Sequence, residues 1–544
     1  MNTRRAADRN LPPVRRTSCP SLRSRRTRSP SYGKKPSAAC LIIAALLLAP
    51  LLTPLAGLHA AESPKPSAKP NIIFILADDL GYADIGCYGQ TKIRTPNLDR
   101  MAAEGMRFTQ HYTGNAVCAP SRCVLMTGLH PGHAYVRNNR SMKPEGQEPL
   151  PPGTVTLPRL LQAGGYATGG FGKWGLGIAG SGGEPSLQGF DHWFGYLCQG
   201  RAHNFYPTHL WDDDRMVPQG NPDFPSRDEF KPGENPDDPA SYVRFRGSRY
   251  SADVIAEHAR DFIRENKDRP FFCYFPTTVP HLALQVPEDS LKEYVGQWDD
   301  PPYKGGSGYL PHFTPRAAYA AMITRMDREV GRLMDLVREL GLDEQTIFIF
   351  SSDNGPLNGE HEGLAGTDCA FFRSNGGLRN GKGTLYEGGI RVPGIVRWRG
   401  KIKPGAVSDR VTGFEDWLPT LLELAGLKDK TPAKTDGISF APTLLAAGPT
   451  QPARDFLYRE FPGYGGQQSI RAGDSKLVRR NLNPTNKTIA AGLKPTLELF
   501  DLATDRAEEH DVSATHPDIV SRLMQMMKAQ HTPSKEFPFA ALDP

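Results

Sequence analysis

The chain has 544 residues, of which 38% are hydrophobic, 9% aromatic and 23% charged. That is globular chemistry with material for a large core, and it excludes a wholly disordered chain, a collagen-like fibre and a polytopic membrane protein. The formal net charge of +6 is unevenly placed: residues 1–60 hold eleven Lys/Arg and one acid, so the remainder carries 54 bases against 58 acids and gives nucleic-acid binding no support.

Residues 1–37 are rich in Arg, Ser and Pro, and an apolar run at 41–52 (LIIAALLLAPLL) ends in small residues near Leu58-His59-Ala60. A basic leader, a short apolar stretch and an A-x-A-like end read as a signal peptide over 1–61. The run is short for a bilayer and broken by Pro50, so no stable membrane span is expected. Residues 62–70 (ESPKPSAKP) read as a tether. The mature protein is therefore expected outside the cytoplasm, in the periplasm or secreted. Six of the eight cysteines remain after leader removal, spaced neither as a zinc site nor as a disulfide framework.

Residues 71–76 (NIIFIL) are continuously apolar, which predicts a strand buried on both faces, and the run leads to Asp78-Asp79. Thr95 and Pro96 predict a helix start, with Thr95 as N-cap, and Gly105 its end. The glycine-rich stretches 164–183 and 375–389 match no nucleotide-binding pattern and read as active-site loops. A second apolar strand, 271–275 (FFCYF), leads to Pro280-His281. Helical apolar spacing over 316–340 stops at Gly341. Residues 346–350 (TIFIF) predict another buried strand, followed by Ser352-Asp353-Asn354-Gly355. A polar connector at 427–437 precedes short strands predicted at 469–478 and 497–502 and a terminal helix at 517–528. The alternation predicts an α/β fold: a large, mainly parallel sheet flanked by helices over 71–429, with a smaller C-terminal α+β unit over 430–544.

Both acidic pairs follow apolar strands, at the sheet edge where open α/β folds bind ligands. Asp78, Asp79, Asp353 and Asn354 supply oxygen donors for a hard cation, Ca²⁺ or Mg²⁺. Each pair taken singly also reads as a solvated turn.

Residues 117–128 (VCAPSRCVLMTG) contain C-x-P-S-R followed by T-G. This resembles the signature of the formylglycine-dependent sulfatases, of the alkaline phosphatase superfamily. The resemblance extends through Asn71 to Gly81, Gly172-Lys173-Trp174, Pro280-His281, Ser352 to Gly355 and Gly381-Lys382 to Arg391. It implies an alkaline-phosphatase-like α/β domain and an exported sulfuric ester hydrolase. Cys118 would be oxidised to formylglycine by a maturation enzyme, and its hydrated aldehyde would attack sulfur. Asp78, Asp79, Asp353 and Asn354 would bind Ca²⁺ or Mg²⁺, with the modified Cys118 as a further ligand. Arg122 would steady the hydrate. Lys173 and Lys382 would bind sulfate oxygens, and His281 would contact sulfate or protonate the departing alcohol. Fixed cations and a metal suit the charge that develops on the leaving oxygen. The substrate would be a sulfated small molecule or glycan.

One departure stands out. The family pattern K-W-H-L-G reads Lys173-Trp174-Gly175-Leu176-Gly177 here. Either activity is reduced or another histidine fills the space. His203 and His133 are the candidates, with His203 preferred and counted as substrate-binding. Loops 130–155, 180–250 and 285–315 are expected to set specificity. The middle one holds Trp193, Tyr196, Phe205, Tyr206 and Trp211, which suit either stacking on sugar rings or a loop mini-core. Two alternatives remain: a phosphate or phosphonate ester hydrolase on the same scaffold, and a catalytically impaired glycan-binding relative.

Overall fold

The computed structural model describes residues 69–357, 366–446, 450–483 and 492–543. The predicted signal peptide and nearly all of the tether lie outside the described residues. No helix among the described residues is long and apolar enough to cross a membrane. All six cysteines among the described residues are free thiols.

The main sheet has eleven strands. They are β1 (Asn71–Ala77), β2 (Met106–Tyr112), β3 (Ala167–Lys173), β4 (His192–Tyr196), β5 (His209–Asp212), β6 (Arg215–Pro218), β7 (Phe271–Pro276), β8 (Thr346–Ser352), β9 (Arg391–Trp398), β10 (Ala406–Ser408) and β11 (Thr412–Gly413). Their order is β10-β2-β9-β8-β1-β7-β3-β4-β5-β6, with β11 also paired to β2. The five central strands, β8, β1, β7, β3 and β4, are parallel. The flanks bring in antiparallel pairs at β8–β9, β9–β2, β4–β5 and β5–β6. The sheet is thus mixed, with the expected parallel arrangement in the centre and again where the short edge strands β10 and β11 pair with β2.

Strand β1 shows why its sequence is continuously apolar. Ile73, Ile75 and Ala77 join the core on one face, and Ile72, Phe74 and Leu76 join the core on the other. Helices Pro96–Ala103, Ser251–Glu265 and Pro315–Glu339 cover the first face. Helices Cys118–Thr127, Leu157–Ala163 and Trp417–Leu424 cover the second. Thr95 does not cap its helix through its side chain. Its Oγ1 accepts from Gly86 N–H (2.8 Å), and Asp327 caps the helix from a distant segment, accepting from Leu98 N–H (2.7 Å) and Asn97 N–H (3.1 Å).

Two sequence expectations are corrected here. The stretch 164–183 is not simply a loop: Ala167–Lys173 is a central strand. Its glycines leave room for aromatic rings, since a Cβ on Gly170 would lie 2.4 Å from Trp193 Cε3 and one on Gly169 would lie 2.8 Å from Phe262 Cε2. The predicted strand at 469–478 is a hairpin, Gln467–Ala472 (β13) and Ser475–Arg480 (β14), turning at Gly473 with φ +61°. With β12 (Leu457–Phe461) and β15 (Thr496–Asp501) it forms an antiparallel sheet in the order β12-β13-β14-β15, against which Pro517–Gln530 packs.

Filling the Gly170 notch should disturb the centre of the sheet. Gly170→Ala is expected to lower stability by about 1–3 kcal/mol through overpacking against Trp193. Urea unfolding measures it, and an unchanged midpoint would contradict the packing account.

Candidate active site

Register places the acids. β1 and β8 pair with Ala77 opposite Ser352, so Asp78 and Asp353 leave adjacent strand ends. Asp353 N–H donates to Ala77 O (3.0 Å), and Asp79 N–H donates to Asp353 Oδ1 (3.2 Å). Asp79 holds φ at +66°, a left-handed conformation rare for a non-glycine residue and typical of functional sites. Lys173 is the last residue of β3, and His281 lies in the turn after β7, where Val279 O accepts from Asp78 N–H (3.1 Å).

Cys118 opens the buried helix Cys118–Thr127, which ends at Gly128 in a left-handed C-cap. Ser121 locks this helix end in place. Its Oγ accepts from Gly114 N–H (3.1 Å) and meets Thr113 Oγ1, which in turn donates to Asp353 O. Arg122, one turn beyond Cys118, is fully buried. Its Nε and Nη2 donate to Asp353 Oδ2 at 3.0 and 2.8 Å, and Nη1 donates to Lys173 O. The Ser and Arg of the motif thus fasten the cysteine to the ends of β8 and β3.

The remaining groups surround the sulfur. Cys118 Sγ lies 3.6 Å from Asp78 Oδ1, 3.5 Å from Lys173 Nζ and 3.8 Å from Lys382 Nζ. Lys173 Nζ donates to Asp78 Oδ2 (2.6 Å) and Lys382 Nζ to Asp79 Oδ2 (2.8 Å). Asn354 Nδ2 donates to Asp79 Oδ1 (2.7 Å). His281 Nδ1 faces Leu282 O at 2.6 Å, so it carries the proton, and Nε2 accepts from Lys382 Nζ at 3.1 Å. Lys382 sits in the loop before Glu387–Ile390. Gln467 of β13 grips that loop, accepting from Leu385 N–H (3.1 Å) and donating to Gly383 O (2.7 Å). The second sheet therefore helps to position a site residue.

Burial and mutual charge set the protonation states. Burial opposes charge on Asp78, yet Lys173, Arg122 and Lys382 hold its pKa below the usual carboxylate range. Burial and the neighbouring Asp78 push Asp353 up to about 6 against the pull of Arg122. Burial pushes the Cys118 thiol up to about 12, although both lysines oppose this. Such a thiol is not a thiolate nucleophile at neutral pH. Burial and then Lys382 drive His281 well below its ordinary value.

The donor set fits a hard cation. Ligand atoms of Asp78, Asp79, Cys118 and His281 lie within 4.8 Å of one another, and Asn354 Oδ1 is buried without a hydrogen-bond partner. Asp79 and Asn354 are in direct contact, and Asp353 completes the acidic group behind them.

Comparison with known proteins places this geometry. The family model described as Sulfatase matches residues 70–427, and one described as N-sulphoglucosamine sulphohydrolase, C-terminal, matches residues 380–533. The chain belongs to the sulfatase family. It is 33% identical to human Arylsulfatase A over 512 residues, covering 88% of this chain and 90% of that protein. It is 30% identical to N-acetylgalactosamine-6-O-sulfatase of Bacteroides thetaiotaomicron, covering 86% and 94% of the two chains. The solved structure of Ps i-CgsB in complex with k-i-k-neocarrahexaose matches with a TM-score of 0.65 at 25% identity, covering 85% of this chain and 92% of that one.

Within this sulfatase, Asp78, Asp79, Cys118, Arg122, Lys173, His281, Asp353, Asn354 and Lys382 are brought together. His203 is buried with its ring stacked on His281 at 4.4 Å between centroids, among the charges of Lys173, Lys382 and Asp78, while the atoms nearest a residue 175 side chain belong to Gln199. His133 is elsewhere, donating to Asp436 at 2.9 Å and stacked on His130. Of the aromatics read as a loop cluster, Trp193 is buried in the core on one face of the sheet and Tyr196, Phe205 and Tyr206 in the core on the other, while Trp211 keeps partial exposure. Tyr309, not anticipated from the sequence, packs against both His203 (5.4 Å) and His281 (6.2 Å). Its only sequence signal was its position in loop 285–315.

Arg122 holds buried carboxylate charge in place, so Arg122→Ala should lower stability by about 3–5 kcal/mol. Adding Asp353→Asn should recover part of that loss. Paired denaturation curves test this, and additive losses would refute the coupling.

Proposed function

We propose that this sulfatase is an exported enzyme that hydrolyses sulfate esters of carbohydrates, using formylglycine made from Cys118 and a bound divalent cation, Ca²⁺ in preference to Mg²⁺. The observation that carries the reading is the convergence of three carboxylates, three cations and Cys118 at one buried sheet edge. Relatives named for N-acetylgalactosamine 6-sulfate, and a related structure holding a neocarrahexaose, support a carbohydrate substrate. Export rests on the basic leader and apolar run of the sequence.

Charge arithmetic explains the need for the cation. Asp78, Asp79 and Asp353 offset Arg122, Lys173 and Lys382, so these six groups alone have no net pull on an anion. Asp78, Asp79, Asp353 and Asn354 would hold a divalent ion, which would make the site net positive and supply Lewis-acid polarisation of the sulfate ester. Formylglycine supplies an oxygen nucleophile where the protonated thiol has none. The chain's own residues do the rest. Arg122 fixes the start of the helix that carries position 118. Lys173 and Lys382 bind sulfate oxygens at the two sides of Cys118. Lys382, hydrogen-bonded to the His281 Nε2 lone pair, is placed to donate a proton to the leaving oxygen. His281 in this tautomer orients Lys382 and accepts rather than donates. Tyr309 and His203 form the wall behind His281, where the leaving alcohol would rest.

The test is sulfate release from an aryl sulfate and a panel of sulfated sugars, run beside the corresponding phosphate esters with matured enzyme. Sulfated sugars should be turned over best, Cys118→Ala should fall to background, and chelation should abolish activity that Ca²⁺ restores. Faster turnover of phosphate esters would overturn the substrate class. An unmodified Cys118 by mass spectrometry in the native host, with no sulfate release, would favour the glycan-binding reading.

A further inference from the structure

Gly175 stands where the family pattern has a histidine, and the space above it is filled. Its φ is +79°, and a Cβ there would lie 2.7 Å from Gln199 Nε2, 3.1 Å from Cγ and 3.2 Å from Cδ. The left-handed backbone disfavours a side chain at 175, and the space one would take is held by the Gln199 side chain. Gln199 arrives from the neighbouring strand. Past the β3–β4 ladder, Trp174 N–H donates to Tyr196 O (2.9 Å) and Gly175 N–H to Leu197 O (3.3 Å). These bonds lay the segment leading to Gln199 alongside 174–175. That is two residues beyond Lys173, whose Nζ is 3.5 Å from Cys118 Sγ.

The glutamine itself is 5% exposed, and its Nε2 is buried without a hydrogen-bond partner. A buried amide N–H without an acceptor carries its full desolvation penalty, so native folds rarely keep one without a use. Two residues back along the chain, Lys173 holds its ammonium beside Cys118 and Asp78, so an anion bound there would bring an acceptor toward this segment. We propose that Gln199 takes the place of the missing side chain at 175, its amide N–H binding an oxygen of the sulfate group held beside Lys173. The proposal deepens the sulfatase reading above and rests on it. Glutamine suits the task chemically: it donates without titrating, so its contribution to binding does not depend on its own protonation.

The test uses inorganic sulfate as probe, by calorimetry on the Ca²⁺-loaded protein and as a competitive inhibitor of 4-nitrophenyl sulfate hydrolysis. Gln199→Met keeps the length and removes the N–H. It should weaken sulfate binding about tenfold and raise KM to a similar degree, without lowering the melting temperature, since an unpaired buried donor is lost. Gln199→Glu, which opposes an anion, should weaken binding further. Should Gln199→Met fail to fold, Gln199→Asn withdraws the amide by one methylene and is read in the same way. Unchanged sulfate affinity in the folded variants would assign Gln199 to packing alone and overturn the proposal. A wild-type protein that binds no sulfate would instead sink the sulfatase reading beneath it.

Discussion

Like charges buried side by side set the terms for this fold. Asp78, Asp79 and Asp353 stand at the ends of two adjacent parallel strands, all buried. Nothing keeps three carboxylates in such a place except opposite charge at hydrogen-bond distance. Arg122 answers Asp353, Lys173 answers Asp78 and Lys382 answers Asp79. Each cation comes from a different segment: the Cys118–Thr127 helix, the end of β3 and the loop before β9. The ionic constraint therefore fastens together the same segments that must converge for chemistry at Cys118.

The scaffold around it can be read as a means of holding those segments still. Parallel strands put their C-terminal ends on one edge, and helices on both faces bury the strands. The antiparallel sheet β12–β15 does its part from the side. Arg459 of β12 donates to Thr113 O (2.8 Å), Asn115 Nδ2 reaches Glu460 O (2.9 Å), and Gln467 grips the loop of Lys382. Lys476 of β14 joins Glu387 (2.9 Å) and Glu508 (2.8 Å) in a buried charge cluster behind the same loop. The C-terminal residues thus reach the site indirectly, through the backbone on either side of Cys118 and Lys382.

Strongly patterned elements were legible in the sequence. Strands 71–77 and 346–352 announced themselves because burial on both faces demands an unbroken apolar run, and the helix Pro315–Glu339 because one long stripe faces the core. The strand Ala167–Lys173 was not legible. Its sequence, ATGGFGK, has the composition of a loop, and its glycines make sense only beside Trp193 and Phe262, which are distant in sequence. The hairpin at 467–480 was read as one strand because a Gly-Asp turn between two apolar stretches does not reveal the reversal by periodicity. The loop aromatics left stacking and packing equally open, and burial decided for packing.

Sequence alone therefore determined the chemical inventory and its order: the cysteine block, the two acidic pairs, the two lysines and the histidine. The acidic pairs follow from residue type and their place after apolar strands, and the cysteine block, lysines and histidine from resemblance to the family's motifs; both survive without coordinates. Tertiary structure decided who neighbours whom. It stacked His203 on His281, sent His133 to Asp436, and brought Gln199 over Gly175. Those outcomes depend on the register of β3 against β4 and on which side chains fill the volume that a glycine leaves. Contacts between residues far apart in the chain are fixed only when the whole core closes.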